Sequence, residues 1–236
     1  DSKKVDPLTR EEVSTLLGVV KEKMPEHYPL LLFAFRTGAR AGEIVAVCPM
    51  DLDFNSRFVQ ICRNSSRGQT TTPKSGQSRR VDMSLQLTNE LDGYVAKKKA
   101  AALTRELNKP ESEWRKSDEV ISEVMESPLF TRPNGKPLDP NDLRRQILYP
   151  ALTAAGIRRV RFHDARHTFA SLLLQQGESP TYVKDQLGHS SIQMTVDVYG
   201  HLIPGLNRQA VDKLDDPPAI GSETVAGDPK PGAKYV

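Results

Sequence analysis

Residues 158–168 read Arg-Arg-Val-Arg-Phe-His-Asp-Ala-Arg-His-Thr and decide the fold. The stretch is basic, and it leads into an apolar periodicity that predicts a helix ending near Gly177. His163 and Arg166 are three positions apart, so they share one face of this helix. They also lie at its N-terminal end, where the helix dipole favours an anion. The segment therefore predicts a helix whose first turn faces a phosphate.

Helical patterns continue on both sides of this stretch, and several of them carry capping residues. Thr9 and Glu12 form a capping box, Gly38 follows a wholly apolar segment as a C-terminal glycine does, and Ser179-Pro180 combines an N-cap with a proline in the first turn. We predict helices at about 10–23, 29–36, 40–47, 86–107, 139–156, 163–177, 179–188, 191–199 and 206–214.

Two strands are predicted at 57–63 and 78–83, joined by a Gly- and Thr-rich hairpin. From Arg63 to Arg80 the chain has no acidic residue, and its basic residues are Arg63, Arg67, Lys74, Arg79 and Arg80. This charge suits a polyanion, although a solvated surface hairpin explains it equally well. An Asn134-Gly135 turn predicts a further small hairpin. The expected fold class is mainly α with a small antiparallel β-sheet, that is, α+β.

The composition excludes several classes of protein. The 236 residues include 33 Lys+Arg and 30 Asp+Glu, a net charge of 33 − 30 = +3, and 37% of the chain is hydrophobic. These values are typical of a globular protein with a core. No apolar run approaches the roughly 18 residues of a membrane span, and the first residues lack the apolar core of a signal peptide. Cys48 and Cys62 alone exclude a disulfide scaffold or a four-cysteine zinc site, so we expect a cytoplasmic protein.

Some polar residues are of the types needed to transfer a phosphodiester without a metal. Such a site needs donors for the non-bridging oxygens, a nucleophile and an acid for the leaving oxygen. Each candidate also has an ordinary explanation, such as an ion pair, a helix cap or a half-buried core tyrosine. The candidates are Arg40, Lys74, His163, Arg166, His189 and Tyr199.

The order of the motifs resembles the tyrosine recombinase (phage integrase) family over roughly residues 9–214. The matching segments are Thr37-Gly-Ala-Arg-Ala-Gly-Glu43, Lys74 before Ser-Arg-Arg-Val, His163-Asp-Ala-Arg166-His-Thr, Leu187-Gly-His189 and Tyr199-Gly-His. Their spacings are also similar to those of the family. One departure is that small residues, Ala39 and Ala41, flank the first arginine where larger apolar residues are frequent. This departure concerns packing and leaves the chemistry intact.

The resemblance implies a reaction centred on Tyr199. This residue would attack a DNA phosphate, form a 3′-phosphotyrosyl link and release a 5′-hydroxyl strand end. Arg40 and Arg166 would bind the non-bridging oxygens through their planar guanidiniums. Lys74 would act as the general acid that protonates the 5′-oxygen. The exchange conserves the bond, so the resemblance implies no cofactor, no ATP and no metal ion.

The resemblance also assigns supporting roles. His163 would act as general base and phosphate ligand, His189 would donate to the phosphate, and Glu43 would support Arg40. The arginines of the two basic segments would contact the DNA backbone: Arg63, Arg67, Arg79, Arg80 and Arg161.

For the whole chain, the resemblance implies the catalytic fold of DNA breaking and rejoining enzymes. We expect residues 1–8 to be a linker from an N-terminal DNA-binding domain, 9–214 to be the catalytic domain and 215–236 to be a disordered tail. The partners implied are a double-stranded DNA recombination site and further copies of the chain, in a tetramer on that DNA. The location implied is the cytoplasm, on the nucleoid.

Three other functions remain open from the residues alone. A type IB topoisomerase forms the same covalent link but reseals the same strand. A metallohydrolase could use His163 and His167, which are four positions apart like the zinc ligands of a protease helix. A DNA-binding module could keep the fold without the reaction. For His167 we expect instead a hydrogen bond within its own helix.

Overall fold

The computed structural model describes residues 6–66, 69–71 and 78–200. Helices dominate this part of the chain and surround a small antiparallel sheet, which confirms the predicted fold class. The helices are α1 (Arg10–Lys23), α2 (Tyr28–Thr37), α3 (Ala41–Ala46), α4 (Leu85–Leu107), α5 (Ser117–Glu126), α6 (Pro140–Asp142), α7 (Tyr149–Ala154), α8 (Asp164–Gln175), α9 (Pro180–Leu187) and α10 (Ile192–Tyr199).

The strands form two separate antiparallel units. A three-stranded sheet has the order β1 (Leu52–Asp53), β2 (Phe58–Ile61), β5 (Arg79–Asp82), with Val59 opposite Val81. A two-stranded hairpin follows β2 and consists of β3 (Asn64–Ser66) and β4 (Gln69–Thr71). The sheet confirms the predicted strands, whereas the sequence analysis treated the region of β3 and β4 only as a connection.

Helix α2 forms the centre of the core, and its sequence explains why. Its residues are apolar almost all round, and those from Tyr28 to Phe35 are buried. Helices α1, α4 and α8 pack against it. It ends at Gly38, whose φ of 60° places it in the left-handed region that glycine adopts at low cost. Among the described residues, no helix is both long enough and apolar enough to cross a membrane.

Helix ends follow the predicted caps. The Thr9 hydroxyl accepts a hydrogen bond from the Glu12 N–H, and the Glu12 carboxylate accepts one from the Thr9 N–H, which completes the capping box of α1. Ser179 caps α9, and Ser191 caps α10. These local signals fix the starts of the helices that lead to the site.

The predicted helix at 139–156 is present but is not uniform. Between α6 and α7, residues 143–148 form a π-helix, which the apolar periodicity did not indicate. Pro150 follows this segment and lacks an N–H, so it donates no helical hydrogen bond. The hairpin at Asn134-Gly135 is confirmed by a bridge between Thr131 and Pro137.

The end of the segment that is expected to be a linker packs with the rest of the domain. Leu8 is buried in the main core, and its N–H donates a 3.0 Å hydrogen bond to the Thr168 hydroxyl of α8. The packed domain therefore includes Leu8. The predicted helix at 206–214 and the predicted disordered tail lie outside the described residues.

Candidate active site

Most of the predicted site residues lie at the ends of short helices. Arg40 precedes α3, His163 precedes α8, His189 follows α9 by two positions, and Tyr199 is the last residue of α10. Arg166 lies in the first turn of α8. Helix ends place side chains beside unpaired backbone groups, so this arrangement brings donors and acceptors from distant parts of the sequence together.

Arg166 ties two of these helix ends together. Its Nη1 donates to the carbonyl of Gly38 at 2.9 Å, and its Nη2 donates to the carbonyl of Leu187 at 2.6 Å. The residue is only 3% exposed. Gly38 lies two positions before Arg40, and Leu187 lies two positions before His189. One guanidinium therefore fixes the two segments that carry the side chains of Arg40 and His189. A guanidinium has five N–H donors, which leaves three for a ligand.

Glu43 joins two further arginines at the same place. Its carboxylate accepts from Arg40 Nη1 at 2.9 Å and from Arg79 Nη1 and Nη2 at 2.9 and 2.7 Å. Burial alone raises the pKa of Glu43, but the hydrogen bonds from Arg79 and Arg40 outweigh it and lower this pKa to about 2. Glu43 therefore stays ionised and holds Arg40 through this contact.

The charges of this cluster do not balance. Three guanidiniums, those of Arg40, Arg79 and Arg166, face the one carboxylate of Glu43, which leaves 3 − 1 = +2. Burial, and after it the charges of Arg40 and Arg79, lower the pKa of Arg166. An uncompensated cationic pocket of this kind is stabilised by a bound anion, and a phosphodiester meets that requirement.

The structure corrects the prediction that Arg79 contacts DNA. Its Nε donates to the Gln186 carbonyl at 2.9 Å, its two Nη atoms contact Glu43, and its side chain is 8% exposed. A Cβ added at Gly188 would lie only 2.6 Å from the Arg79 Cδ. Arg79 is therefore an internal link between β5, α3 and α9, and not a surface contact.

Replacing Arg79 with alanine is expected to lower the free energy of unfolding by about 3–5 kcal/mol, because Glu43 would lose one partner of a buried ion pair. Urea unfolding measures this change. Arg80→Ala is the matched control, since Arg80 is exposed and stacks on Phe58 with its guanidinium carbon 4.5 Å from the ring centre. We expect the control to cost at most about 1 kcal/mol. Equal losses in both variants would contradict the internal role of Arg79.

His189 is held by a buried hydroxyl on the helix that carries Tyr199. Its Nδ1 lies 2.9 Å from the Thr195 hydroxyl, and Thr195 is 1% exposed. Burial and then the charges of Arg166 and Arg40 lower the pKa of His189 to about 4. A neutral His189 whose Nδ1 accepts from Thr195 carries its proton on Nε2, which suits the predicted role as a donor to a phosphate.

Tyr199 is buried, and its hydroxyl contacts a residue that the sequence analysis did not place in the site. The ring packs in a small cluster with Phe169 and Leu187 and is 2% exposed. Its hydroxyl lies 2.7 Å from His167 Nδ1. The expectation that His167 bonds within its own helix is therefore wrong. His167 is four positions after His163, a spacing that was visible in the sequence but was interpreted as a metal-ligand pattern.

His167 and His189 make the stability of the domain depend on pH. Burial lowers the pKa of each to about 4, with His163 adding to the effect at His167 and Arg166 at His189. A lowered histidine pKa means that the unfolded chain binds more protons below pH 6.5, so this contribution to stability is full above pH 6.5 and is lost as pH falls towards 4.

We expect the free energy of unfolding to fall between pH 7 and pH 5, with uptake of up to about three protons on unfolding, because burial also lowers the pKa of His163. Urea unfolding at several pH values measures this slope. His189→Asn should reduce the slope by about one proton. Glu43, whose pKa is about 2, adds its own loss only below pH 4.5. A slope that is the same in the variant and the wild type would contradict the assignment.

The remaining predicted DNA contacts differ in their surroundings. Arg63 pairs with Asp51, whereas Arg161 is 61% exposed in its side chain and donates to Asp164 at 2.8 Å. Arg80 is exposed. Lys74 and Arg67 lie outside the described residues, so their predicted roles remain predictions.

The hairpin that leads towards Lys74 packs closely on α3. A Cβ at Gly42 would lie 2.3 Å from Asn64 Oδ1 and 2.6 Å from the Ser65 carbonyl oxygen. Glycine at this position therefore permits β3 to approach α3 directly, two residues after Arg40. In this way the basic hairpin begins beside the cationic pocket.

The arrangement of His163 and His167 differs from that of a pair of metal ligands. The two rings meet edge to face, with their centres 4.8 Å apart and an angle of 88° between their planes. Nδ1 of His167 is engaged by the Tyr199 hydroxyl. Within the ranges that the structure describes, no group of three or more His, Cys, Asp or Glu residues is arranged to hold a metal ion.

The fold and the site together define a helical domain with a partly buried cluster of three arginines and a buried tyrosine on α10. Comparison with known proteins agrees with the motif order. The model of the phage integrase family matches residues 7–204. The chain is 31% identical over 229 residues to the ICEBs1 integrase of Bacillus subtilis, covering 92% of this chain and 58% of that protein. It is 27% identical over 202 residues to a tyrosine recombinase XerC-like protein of Caldanaerobacter subterraneus, covering 84% and 51%.

The chain belongs to the phage integrase family, which confirms the resemblance seen in the sequence. It spans about half the length of these two relatives. Among solved structures, the fold is similar to that of the Tn1549 transposon integrase in complex with a circular intermediate DNA. The TM-score is 0.67 at 21% identity, and the match covers 91% of this chain and 67% of that one.

Proposed function

We propose that this chain is the catalytic part of a site-specific DNA recombinase that integrates or excises a mobile element. The observation that carries the proposal is the meeting of a cationic pocket with the buried Tyr199 hydroxyl in a member of the phage integrase family. The relatives named integrase, and a similar structure that holds a circular intermediate DNA, support DNA as the partner.

The geometry supports a separate role for each of these residues around the scissile phosphate. Arg40 and Arg166 are proposed to bind its non-bridging oxygens, and the Nε2–H of His189 is proposed to donate to one of them. Each donor of this kind contributes about 3–4 kcal/mol to stabilising a transition state, because it is in place before charge develops. Tyr199 then attacks phosphorus and forms the 3′-phosphotyrosyl bond.

The leaving 5′-oxygen needs a proton, and we propose that Lys74 supplies it. The support is its place in the sequence, in the basic segment from Arg63 to Arg80 between β4 and β5, since β3 of the same segment packs on α3 beside Arg40. We keep His163 as a phosphate ligand, since it lies at the N-terminal end of α8 next to Arg166. No ATP is required, because the phosphotyrosyl bond conserves the energy of the broken phosphodiester.

Strand exchange between two duplexes requires a nucleophile on each of the four strands, so we propose a tetramer on the paired sites. Arg80 and Arg161, both exposed, are proposed to contact the DNA backbone, as are Arg63 and Arg67. Residues 9–214 are proposed as the catalytic domain, extended to include Leu8. Binding to chromosomal DNA would place the protein on the nucleoid in the cytoplasm.

A strand-transfer assay tests the proposal against the topoisomerase alternative. The probes are two duplexes of different length, selected for binding from a randomised library, with one strand of each labelled. We expect covalent adducts and, on adding the second duplex, joined products of new length. Resealing of the original strand without joined products would favour a type IB topoisomerase. Binding without any adduct would contradict both and favour a DNA-binding module.

A further inference from the structure

The hydroxyl of Tyr199 lies 2.7 Å from Nδ1 of His167, which is a strong hydrogen-bond distance. The two residues come from different helices, α10 and α8, and are 32 positions apart in sequence. Tyr199 is 2% exposed and its ring packs against the same helix that carries His167. The contact is therefore fixed by tertiary packing and is shielded from bulk water.

His167, and not His163, is the histidine in contact with the hydroxyl. Within the part of the chain that the structure describes, the ring of His163 makes no hydrogen bond to Tyr199. The His163 ring instead meets the edge or face of His167, with ring centres 4.8 Å apart. A general base must lie within hydrogen-bond reach of the proton that it removes, and His167 meets this condition.

We propose that His167 is a further catalytic residue, which accepts the proton of Tyr199 as its oxygen attacks the DNA phosphate. This inference rests on the proposed function. It moves the role of general base from His163, where the family resemblance put it, to His167.

The protonation states in the resting protein allow the transfer. Burial raises the pKa of Tyr199 to about 12, so the hydroxyl holds its proton. Burial and the neighbouring His163 lower the pKa of His167 to about 4, so its ring is neutral. With the ring proton on Nε2, the Nδ1 atom accepts the hydrogen bond from Tyr199. A DNA phosphate entering the pocket brings negative charge, which shifts the pKa of His167 back towards its ordinary value and strengthens it as a base.

The step balances in both directions. In cleavage, Tyr199 Oη forms a bond to phosphorus while its proton moves to His167 Nδ1, and the P–O5′ bond breaks. The electron pair leaves on the 5′-oxygen, which takes a proton from Lys74 in the proposed scheme. In rejoining, a 5′-hydroxyl gives its proton to the neutral Lys74 and attacks the phosphotyrosyl phosphorus. The bond from phosphorus to Tyr199 Oη breaks, and the departing oxygen recovers its proton from His167.

The test separates proton transfer from positioning by comparing two substitutions. His167→Asn places an amide acceptor near the position of Nδ1, so it keeps a hydrogen bond to the hydroxyl but holds no proton. His167→Ala removes both functions. His27→Asn is the matched control, since His27 lies in the turn at 25–27, outside the site. Circular dichroism and thermal unfolding of the full 236-residue chain show which variants fold.

The probe is a nicked duplex selected for binding from a randomised library, with sulfur replacing the bridging 5′-oxygen at the cleaved phosphate. A thiolate leaves without a proton, so the acid step is bypassed and deprotonation of Tyr199 is the remaining proton transfer. Single-turnover rates of covalent adduct formation are measured from pH 7 to pH 9 for each variant.

We expect His167→Asn to be at least about 100-fold slower than wild type at pH 7, the lower end of a general base's contribution. Its rate should rise about tenfold per pH unit, as hydroxide replaces the base, while the wild-type rate stays level. His167→Ala should recover rate on addition of imidazole. The charged groups that face His167 are Arg161, His163, Asp164 and Arg166, and these are unchanged in both variants.

Two results would overturn the inference while leaving the proposed function intact. One is a wild-type rate and a level pH profile in both His167→Asn and His167→Ala. The other is a normal rate in His167→Asn with a slow rate in His167→Ala, which would make His167 a positioning residue only. Failure of the proposed function is distinct from both, because the wild-type chain itself would then form no adduct on the bound duplex.

Discussion

Replacing Tyr199 with phenylalanine is expected to abolish the covalent DNA–protein adduct while leaving DNA binding unchanged. The ring would remain in its cluster with Phe169 and Leu187, so only the nucleophilic oxygen is lost. The free energy of unfolding should fall by about 1 kcal/mol, since the hydrogen bond to His167 is lost with the hydroxyl. Denaturing gels detect the adduct, and fluorescence anisotropy of a labelled duplex measures binding.

Tyr182→Phe is the matched control for this experiment. Tyr182 lies near the N-terminal end of another short helix, α9, and its hydroxyl donates a 2.8 Å hydrogen bond to Asp82. We expect this variant to lose a similar hydrogen bond and to keep the full yield of adduct. An adduct that persists in Tyr199→Phe would show that another residue is the nucleophile.

Replacing Arg166 with lysine is expected to slow strand cleavage about 100- to 1000-fold, although the charge is kept. Arg166 donates to the carbonyls of Gly38 and Leu187 at the same time and keeps further donors for the phosphate. An ammonium group presents its three donors from one point and cannot span both carbonyls. The expected loss is that of one preorganised donor to a developing charge.

The same variant is expected to be less stable, because two buried carbonyls lose their partner at about 1–3 kcal/mol for each group left unsatisfied. Single-turnover cleavage and thermal unfolding measure the two effects separately. Arg105→Lys is the matched control, since Arg105 is exposed on α4 and, among the described residues, donates only to the Ala101 carbonyl of its own helix. Near-normal cleavage by Arg166→Lys would argue against this role of the Arg166 guanidinium.

Local signals in the sequence were sufficient for most of the fold. The capping box at Thr9, the glycine at 38 and the Ser179-Pro180 start each depend on residues within four positions, and the structure has each where the sequence predicted it. The π-helix at 143–148 was missed because it adds one residue to a turn without a change in apolar pattern. The strands β3 and β4 within the predicted hairpin were not predicted individually, because their residues lack alternation of apolar and polar types.

Motif order provided the candidate site residues, whereas contacts between distant parts of the chain could not be predicted from it. The sequence analysis treated Arg79 as one of several hairpin arginines, but it bonds to the Gln186 carbonyl 107 positions away and to Glu43. His167 was treated as a residue of its own helix, but its partner Tyr199 comes from α10. No local sequence pattern shows which arginine of a basic segment is buried. Nor does it show which two helices pack against each other.

The proposed function depends on a covalent bond that Tyr199 forms with DNA without a metal ion. The most direct measurement is mass analysis of the peptide attached to DNA, after incubation with a bound nicked duplex in EDTA and digestion with trypsin. The tryptic peptide 185–208 contains Tyr199 as its one tyrosine. We predict that the DNA-linked mass falls on this peptide, at Tyr199. Attachment to another peptide, or cleavage that requires a divalent cation, would contradict the account.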